Sequence, residues 1–326
     1  GCLAVYSVVN KKEILFLCLL ILSLFPHSAR AKKCLYISSY HIGYEWSDGI
    51  EKGLRNTLEG KCELQQFNMD TKHHKDEAYK KQIALKAKRM IETWQPDIVI
   101  VSDDNAARYI IQPYYKDHRI PFVFCGINWH VKTYGFPYSN TTGMIEVAPI
   151  SALFEKVTRI RGKAHTGFYL GADTLTEKKN LSRFQQEATD SGIKLLKGLA
   201  KNMAQWLDYY KQAQQYDFVI IGSNSGINDW DPAIIQKTIV QVTNKLSVTN
   251  HHWMMPYSIL GLTKIPEEQG IWAAQAALYI LDGTSPADIP IISNRKWDLW
   301  INEKNLSYSE IKMPHSLLKK AKKIGD

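Results

Sequence analysis

Cysteine is scarce, with five in 326 residues, and Cys34, Cys62 and Cys125 have none of the paired spacing that holds zinc. Each lies in an apolar, strand-like stretch, so buried thiols are the expectation, with one disulfide between two of them as the alternative. No GxGxxG and no GxxxxGK[ST] occurs, which leaves nucleotide binding without support. No GxSxG elbow occurs either, so Ser39, His41 and Asp103 are a weak candidate for a hydrolytic triad, and no catalytic residue is assigned. His73 with His74, and His251 with His252, are adjacent pairs whose side chains point apart in a regular element. They read as loop or surface histidines, with neither a metal nor a cofactor expected. Internal repeats and low-complexity linkers are absent. The longest apolar run, "ILFLCLLILSLF", falls short of the roughly 20 residues that cross a membrane as a helix.

That run follows Lys11 and Lys12 and precedes "SARA", whose alanines are spaced as in a cleavage site. Residues 1–31 therefore read as a secretory signal peptide, removed after about Ala31, and the expected location is periplasmic. Neither Cys18 nor Cys34 follows a small residue, so a lipid anchor is not expected. The formal charge of +9 drops to about +7 once Lys11, Lys12, Arg30 and Glu13 are gone. The remaining excess is spread out except in the tail "LLKKAKKIGD", which reads as the solvated face of a terminal helix. No nucleic-acid partner follows from it.

Short apolar runs alternate with amphipathic ones along the rest of the chain. "CLYISSY", "DIVIVSD" and "IPFVFCGIN" read as buried parallel strands, and "WSDGIEKGLRNTLEG" and "DEAYKKQIALKAKRMIETW" as the helices between them. The second half repeats the rhythm with "HTGFYLGAD" and "YDFVIIGSNS". The fold class is α/β, with two doubly wound parallel-sheet lobes joined by a hinge, since about 295 mature residues exceed one core. The N-terminal lobe spans 32–146 and is completed by about 253–284. The C-terminal lobe spans 147–252 and is completed by about 285–326. Ligands of such sheets bind beyond the carboxyl ends of the strands, here in a cleft between lobes.

The loops after the strands carry the polar and aromatic residues: "SSYHIGYEW", "SDDNA", "CGINWH", "YLGAD" and "GSNSGINDWD". One of Asp103 and Asp104 is expected to cap the helix that follows, leaving the other to face the cleft. A carboxylate there suits the ammonium of a ligand, with hydroxyls and backbone N–H groups for its carboxylate. Tyr40, Trp46, Trp129, Trp230 and Tyr257 are candidates to stack on a flat or apolar remainder.

The segments "SYHIGYEWSDGIEKGL", "PDIVIVSDDNAARY", "IPFVFCGINW", "NTTGMIEVAP" and "PEEQGIWAAQAALYILDGTSPADIPI" resemble, in order and spacing, the TrpX-like family of ABC transporter substrate-binding proteins. The resemblance runs from about Cys34 to the final helix and implies a type 1 periplasmic-binding-protein fold. It further implies a monomeric receptor that closes on an amino-acid-like or aromatic solute and delivers it to an inner-membrane ABC permease. Related domains serve sensor kinases, the alternative partner. By this resemblance Tyr40, His41, Asp103, Asp104, Asn105, Gly126 and Asn128 fall in cleft loops, and Glu146 falls where the chain first crosses between lobes. In the second lobe Asn224 and Ser225 are placed by position.

Overall fold

A computed structural model describes residues 30–324; the predicted signal peptide, apart from its last two residues, lies outside them. Six parallel strands form the first sheet. They are β1 (Lys33–Ser38), β2 (Glu63–Asn68), β3 (Ile98–Ser102), β4 (Phe122–Asn128), β5 (Thr141–Glu146) and, much later in the chain, β11 (Ile292–Ser293). Their spatial order is β11-β5-β4-β3-β1-β2. The inner strands β1, β3 and β4 are almost wholly buried because helices cover both faces, which is why they read as unbroken apolar runs.

Helix α1 (Glu45–Leu58) packs Ile50, Leu54 and Leu58 inward, and α2 (Glu77–Trp94) is capped by Asp76, whose side chain accepts from the Tyr79 N–H. Helix α3 begins at Asp103–Ala106, passes through a π-helical turn at Ala107–Ile111 and ends at Gln112–Tyr114. Pro113, which has no N–H to give, sits just past the widened turn.

The second sheet holds β6 (Thr166–Ala172), β7 (Lys194–Ala200), β8 (Phe218–Ile221), β9 (Leu246–Thr249), β10 (Leu260–Lys264), β12 (Trp297–Asn302) and β13 (Lys322–Ile324). Its order is β13-β12-β10-β9-β8-β6-β7, parallel except where β12 runs against β10. Helices α4 (Ile150–Arg161), α5 (Leu175–Asp190), α6 (Met203–Ala213) and α7 (Pro232–Val242) cover it. Each lobe thus has apolar clusters of its own on both faces of its sheet.

Four details differ from the sequence reading. The segment 253–284 divides, since β10 joins the second sheet while α8 (Pro266–Leu281) packs on α1 and the first sheet. The segment 285–326 divides as well, with β11 in the first sheet and β12 and β13 in the second. The lysine-rich tail is helical only over His315–Lys320, after which Lys322–Ile324 pairs with β12 and Lys322 lies over the Trp300 ring. Cys34 and Cys62, expected as thiols, form a disulfide with Cα atoms 6.1 Å apart, whereas Cys125 is free and buried.

The chain crosses between sheets three times: after β5, between β10 and α8, and between β11 and β12. The crossings are tied together. The Asn294 side chain accepts from the Val147 N–H at 2.7 Å and donates to the Val147 carbonyl at 3.1 Å. The Glu268 carboxylate accepts from the Arg295 and Lys296 N–H groups. Lys264, closing β10, forms an ion pair with Glu146, closing β5.

Candidate functional site

In the first sheet the order β2-β1-β3-β4 places the reversal of winding between β1 and β3. Loops leaving the carboxyl ends of those strands diverge and open a crevice. The loop after β1 carries Tyr40 and His41, and the one after β3 carries Asp103, Asp104 and Asn105.

Neither aspartate side chain caps α3. The Ser39 hydroxyl does so from the neighbouring loop, accepting from the Ala106 N–H at 2.9 Å while donating to the Ser102 carbonyl at 2.6 Å. Both bonds of this fully buried hydroxyl are therefore structural. The expectation of an aspartate cap fails because Asp103 has φ +70°, a left-handed backbone that turns its side chain away from the first helical turn.

Asp104 braces the loops. Its carboxylate accepts from the backbone N–H and side-chain amide of Asn128 at 3.2 and 2.9 Å, and from the Tyr134 hydroxyl at 2.5 Å. Asn128 is thus engaged by Asp104, and Asn105 donates to the Thr71 hydroxyl at 2.9 Å.

Asp103 is the exception. It is only 4 % exposed, its Oδ1 accepts from the Trp46 indole N–H at 3.0 Å, and its Oδ2 has no hydrogen-bond partner among the described residues. Burial, reinforced by the nearby Glu146 carboxylate, pushes its carboxyl well above the usual carboxylate range. Gly126 makes room for it. With φ +66°, it has no Cβ, which would lie 2.8 Å from Asp103 Oδ1.

Around this carboxylate stand Tyr40 and Trp46. Tyr40 is half-buried, meets Tyr44 edge-on with centroids 5.3 Å apart, and has the Lys72 ammonium 4.6 Å from its ring centre. Burial, then the charge of Asp103, drives its phenol far above the ordinary value. Lys264 lies 5.3 Å from the Trp46 ring while paired with Glu146. Burial raises the Glu146 carboxyl, and Lys264 opposes that rise.

Four residues that sequence reasoning passed over belong to this neighbourhood. Gln269 of α8 is buried, accepts from the Gly126 N–H at 2.8 Å and donates to the Ile145 carbonyl at 3.3 Å. Lys264 and Lys72 supply the nearby positive charges. His251, expected as a loop or surface histidine, has a buried Nε2 with no hydrogen-bond partner among the described residues, and burial lowers its pKa to about 4. None stands in a recognisable motif; the only signal was position at the end of a strand or start of a helix.

Other sequence candidates lie in different settings. The Trp129 ring, on a residue with φ +67°, is stacked by the Arg183 guanidinium at 3.7 Å and packs toward the second-lobe core. With Val147, Ala148 and Trp297 it lines a separate groove of about 580 Å³ at the first crossing. Trp230 donates to the Tyr257 hydroxyl at 3.0 Å, and it meets both Tyr257 and the buried Trp206 edge-on with centroids 5.0 Å apart. These rings are committed to the second-lobe core. Asn224 is half-buried and Ser225 exposed on the loop after β8. There the buried Glu177, also unforeseen, accepts from the Tyr169 hydroxyl at 2.5 Å.

His41 and the pair His73 and His74 converge. The chain reverses at Asp70, which has φ +56°, so the adjacent histidines do not alternate as in a regular element. Both turn toward the Asp70 carboxylate, at 2.7 Å for His73 and 3.7 Å for His74.

Among solved structures, similarity extends over whole chains at low identity. A ligand-free, open substrate-binding protein with adhesive properties from Clostridium difficile shares 14% identity at a TM-score of 0.72, covering 90% of this chain and 99% of that one. A Streptococcus pneumonia ABC domain in complex with L-Trp shares 17% at 0.56, with the same coverage. A periplasmic ribose ABC transporter protein from Conexibacter woesei shares 12% at 0.54, covering 85% and 94%. The fold is that of type 1 periplasmic binding proteins. No curated protein matches the sequence at a significant level. Residues 41–324 match the family described as ABC transporter substrate binding protein, and the chain belongs to that family.

Proposed function

We propose that this chain is the extracytoplasmic solute-binding component of an ABC transporter, and that its cleft takes a small amino-acid-like or aromatic solute. The observation that carries the ligand class is Asp103: a buried carboxylate with one free oxygen, at the switch point of the sheet, beside Trp46 and Tyr40. A ligand ammonium against Oδ2 would supply the missing partner, and a charge-assisted bond is strongest where water is excluded. Tyr40 and Trp46 offer flat surfaces to the remainder of the solute. The L-Trp complex of the Streptococcus pneumonia neighbour is consistent with that class.

In this reading the solute first binds the loops of the N-terminal lobe. Rotation about the three crossings then brings down the loop of Asn224 and Ser225. Binding favours the closed form only through contacts made there and not in the open form. A membrane permease is the partner for the closed form. Among the described residues no helix is long and apolar enough to cross a membrane.

The test is a thermal-shift screen of amino acids, nucleosides and small sugars, followed by calorimetry with Asp103→Asn. An amino acid or aromatic amine should raise the unfolding temperature, and its affinity should drop at least about 10-fold in the variant. A neutral sugar or nucleoside that binds tightly and ignores Asp103→Asn would sink the ligand class.

A further inference from the structure

We propose that His41, Asp70 and His73 form a binding site for one divalent transition-metal ion of the zinc class, at the edge of the cleft and separate from the Asp103 pocket. One donor atom from each of the three lies within 4.8 Å of the others. The measured separations are 2.7 Å from His73 Nδ1 to Asp70 Oδ1 and 3.5 Å from His41 Nδ1 to the same oxygen. Donors on a tetrahedral zinc, with bonds of about 2.0–2.1 Å, stand roughly 3.3 Å apart. The cluster thus needs side-chain shifts of no more than roughly 1.5 Å to close around an ion.

Two further observations point the same way. His41 Nδ1 is buried and has no hydrogen-bond partner among the described residues, so a donor atom is held out of water and left unused there. The two imidazoles are stacked, with centroids 3.9 Å apart and planes at 28°, which brings their nitrogens to the same side of the carboxylate.

The backbone holds the donors in place. The Asp70 N–H bonds the Tyr40 carbonyl at 3.0 Å, and the Thr71 N–H bonds the Ser39 carbonyl at 3.0 Å, so the loops after β1 and β2 are stitched together before any ion arrives. His74 approaches the other Asp70 oxygen at 3.7 Å. Two imidazoles and one carboxylate suit zinc, cobalt, nickel or copper. Calcium and magnesium, which take oxygen cages, are excluded by the donor set. Three protein donors leave at least one tetrahedral position for water or another ligand. An ion here would fix Lys72, between Asp70 and His73, over the Tyr40 ring.

The test uses the purified chain without a histidine tag, stripped with chelator. Calorimetric titration with Zn²⁺ should show one ion per chain at micromolar or tighter affinity, unaffected by millimolar Mg²⁺. His41→Ala, Asp70→Asn and His73→Ala should each weaken binding at least about 10-fold, while His165→Ala, at an exposed site elsewhere, should not. Circular dichroism of each variant verifies that it is folded. Absence of saturable Zn²⁺ binding, or wild-type affinity in all three variants, overturns the proposal. Either result leaves the solute reading untouched, because Asp103 is not among the donors.

Discussion

Asp103 carries the most consequence of any single residue. Its folded pKa is raised, so the free protein resists ionising it, while an ammonium ligand requires the ionised form. Binding should therefore release protons. Calorimetry of an amine ligand in buffers of different ionisation enthalpy should show up to about one proton leaving per ligand. Affinity should fall as pH drops through the raised pKa. For stability the sign is opposite to that of a salt-bridged carboxylate. A raised folded pKa means that the unfolded chain ionises first, so stability is lost as pH climbs from the unfolded value toward the folded one. Asp103→Asn keeps an acceptor for Trp46 and removes that loss. It should raise the unfolding temperature at neutral pH by about 2–4 °C, for a gain near 1 kcal/mol, while weakening the ligand.

At the scale of elements, the helix pair α1 and α8 explains two of the sequence segments that looked alike to a known family. Gly53 lies where a Cβ would collide with the Glu267 carbonyl, and Gly270 where one would collide with the Ile50 carbonyl. "GIEKGL" and "QGIWAAQAAL" are the two sides of one close contact, although more than 200 residues separate them. Gly270→Ala should cost about 1–3 kcal/mol in urea unfolding, because the neighbour is backbone and cannot swing aside. It should also weaken the ligand, since α8 carries Gln269 behind Gly126. The Cys34–Cys62 disulfide acts at the same scale, fastening β1 to the start of β2. Closing a loop of 28 residues contributes about 3.5 kcal/mol, so reduction with the chain otherwise intact should lower the denaturation midpoint accordingly.

The sequence made the strands and the loops after them legible, because buried parallel strands must be apolar and the polar residues then collect at their ends. It could not show that Ser39 caps α3 in place of an aspartate, since that depends on two loops meeting across the sheet. It could not separate Trp46, which reaches Asp103, from Trp230, which is spent on Trp206. Both follow strands and both are flanked by acids; only packing tells them apart. Gln269 and Lys264 were hidden for the same reason, lying at crossings that no local pattern marks.

For the whole molecule the deciding feature is the strap across the three crossings, because any closure must bend there. Glu146 ends the last early strand of the first sheet, and Lys264 ends a strand of the second. Their ion pair spans the lobes at a place where Glu146 is buried and Lys264 is partly exposed. Removing only the lysine leaves a carboxylate out of water without its cation, which is costly; removing both charges is much less so. Lys264→Met should therefore destabilise the protein by about 2 kcal/mol, below the 3–5 kcal/mol of a fully buried pair because water reaches the ammonium. Adding Glu146→Gln should recover most of that loss. Urea unfolding of the two variants measures the difference, and small-angle scattering with and without solute measures closure. If the double variant keeps its stability yet closes without ligand, the pair holds the lobes apart. If single and double variants unfold alike, Asn294 and Glu268 bear the crossings and Lys264 serves the Trp46 face of the cleft instead.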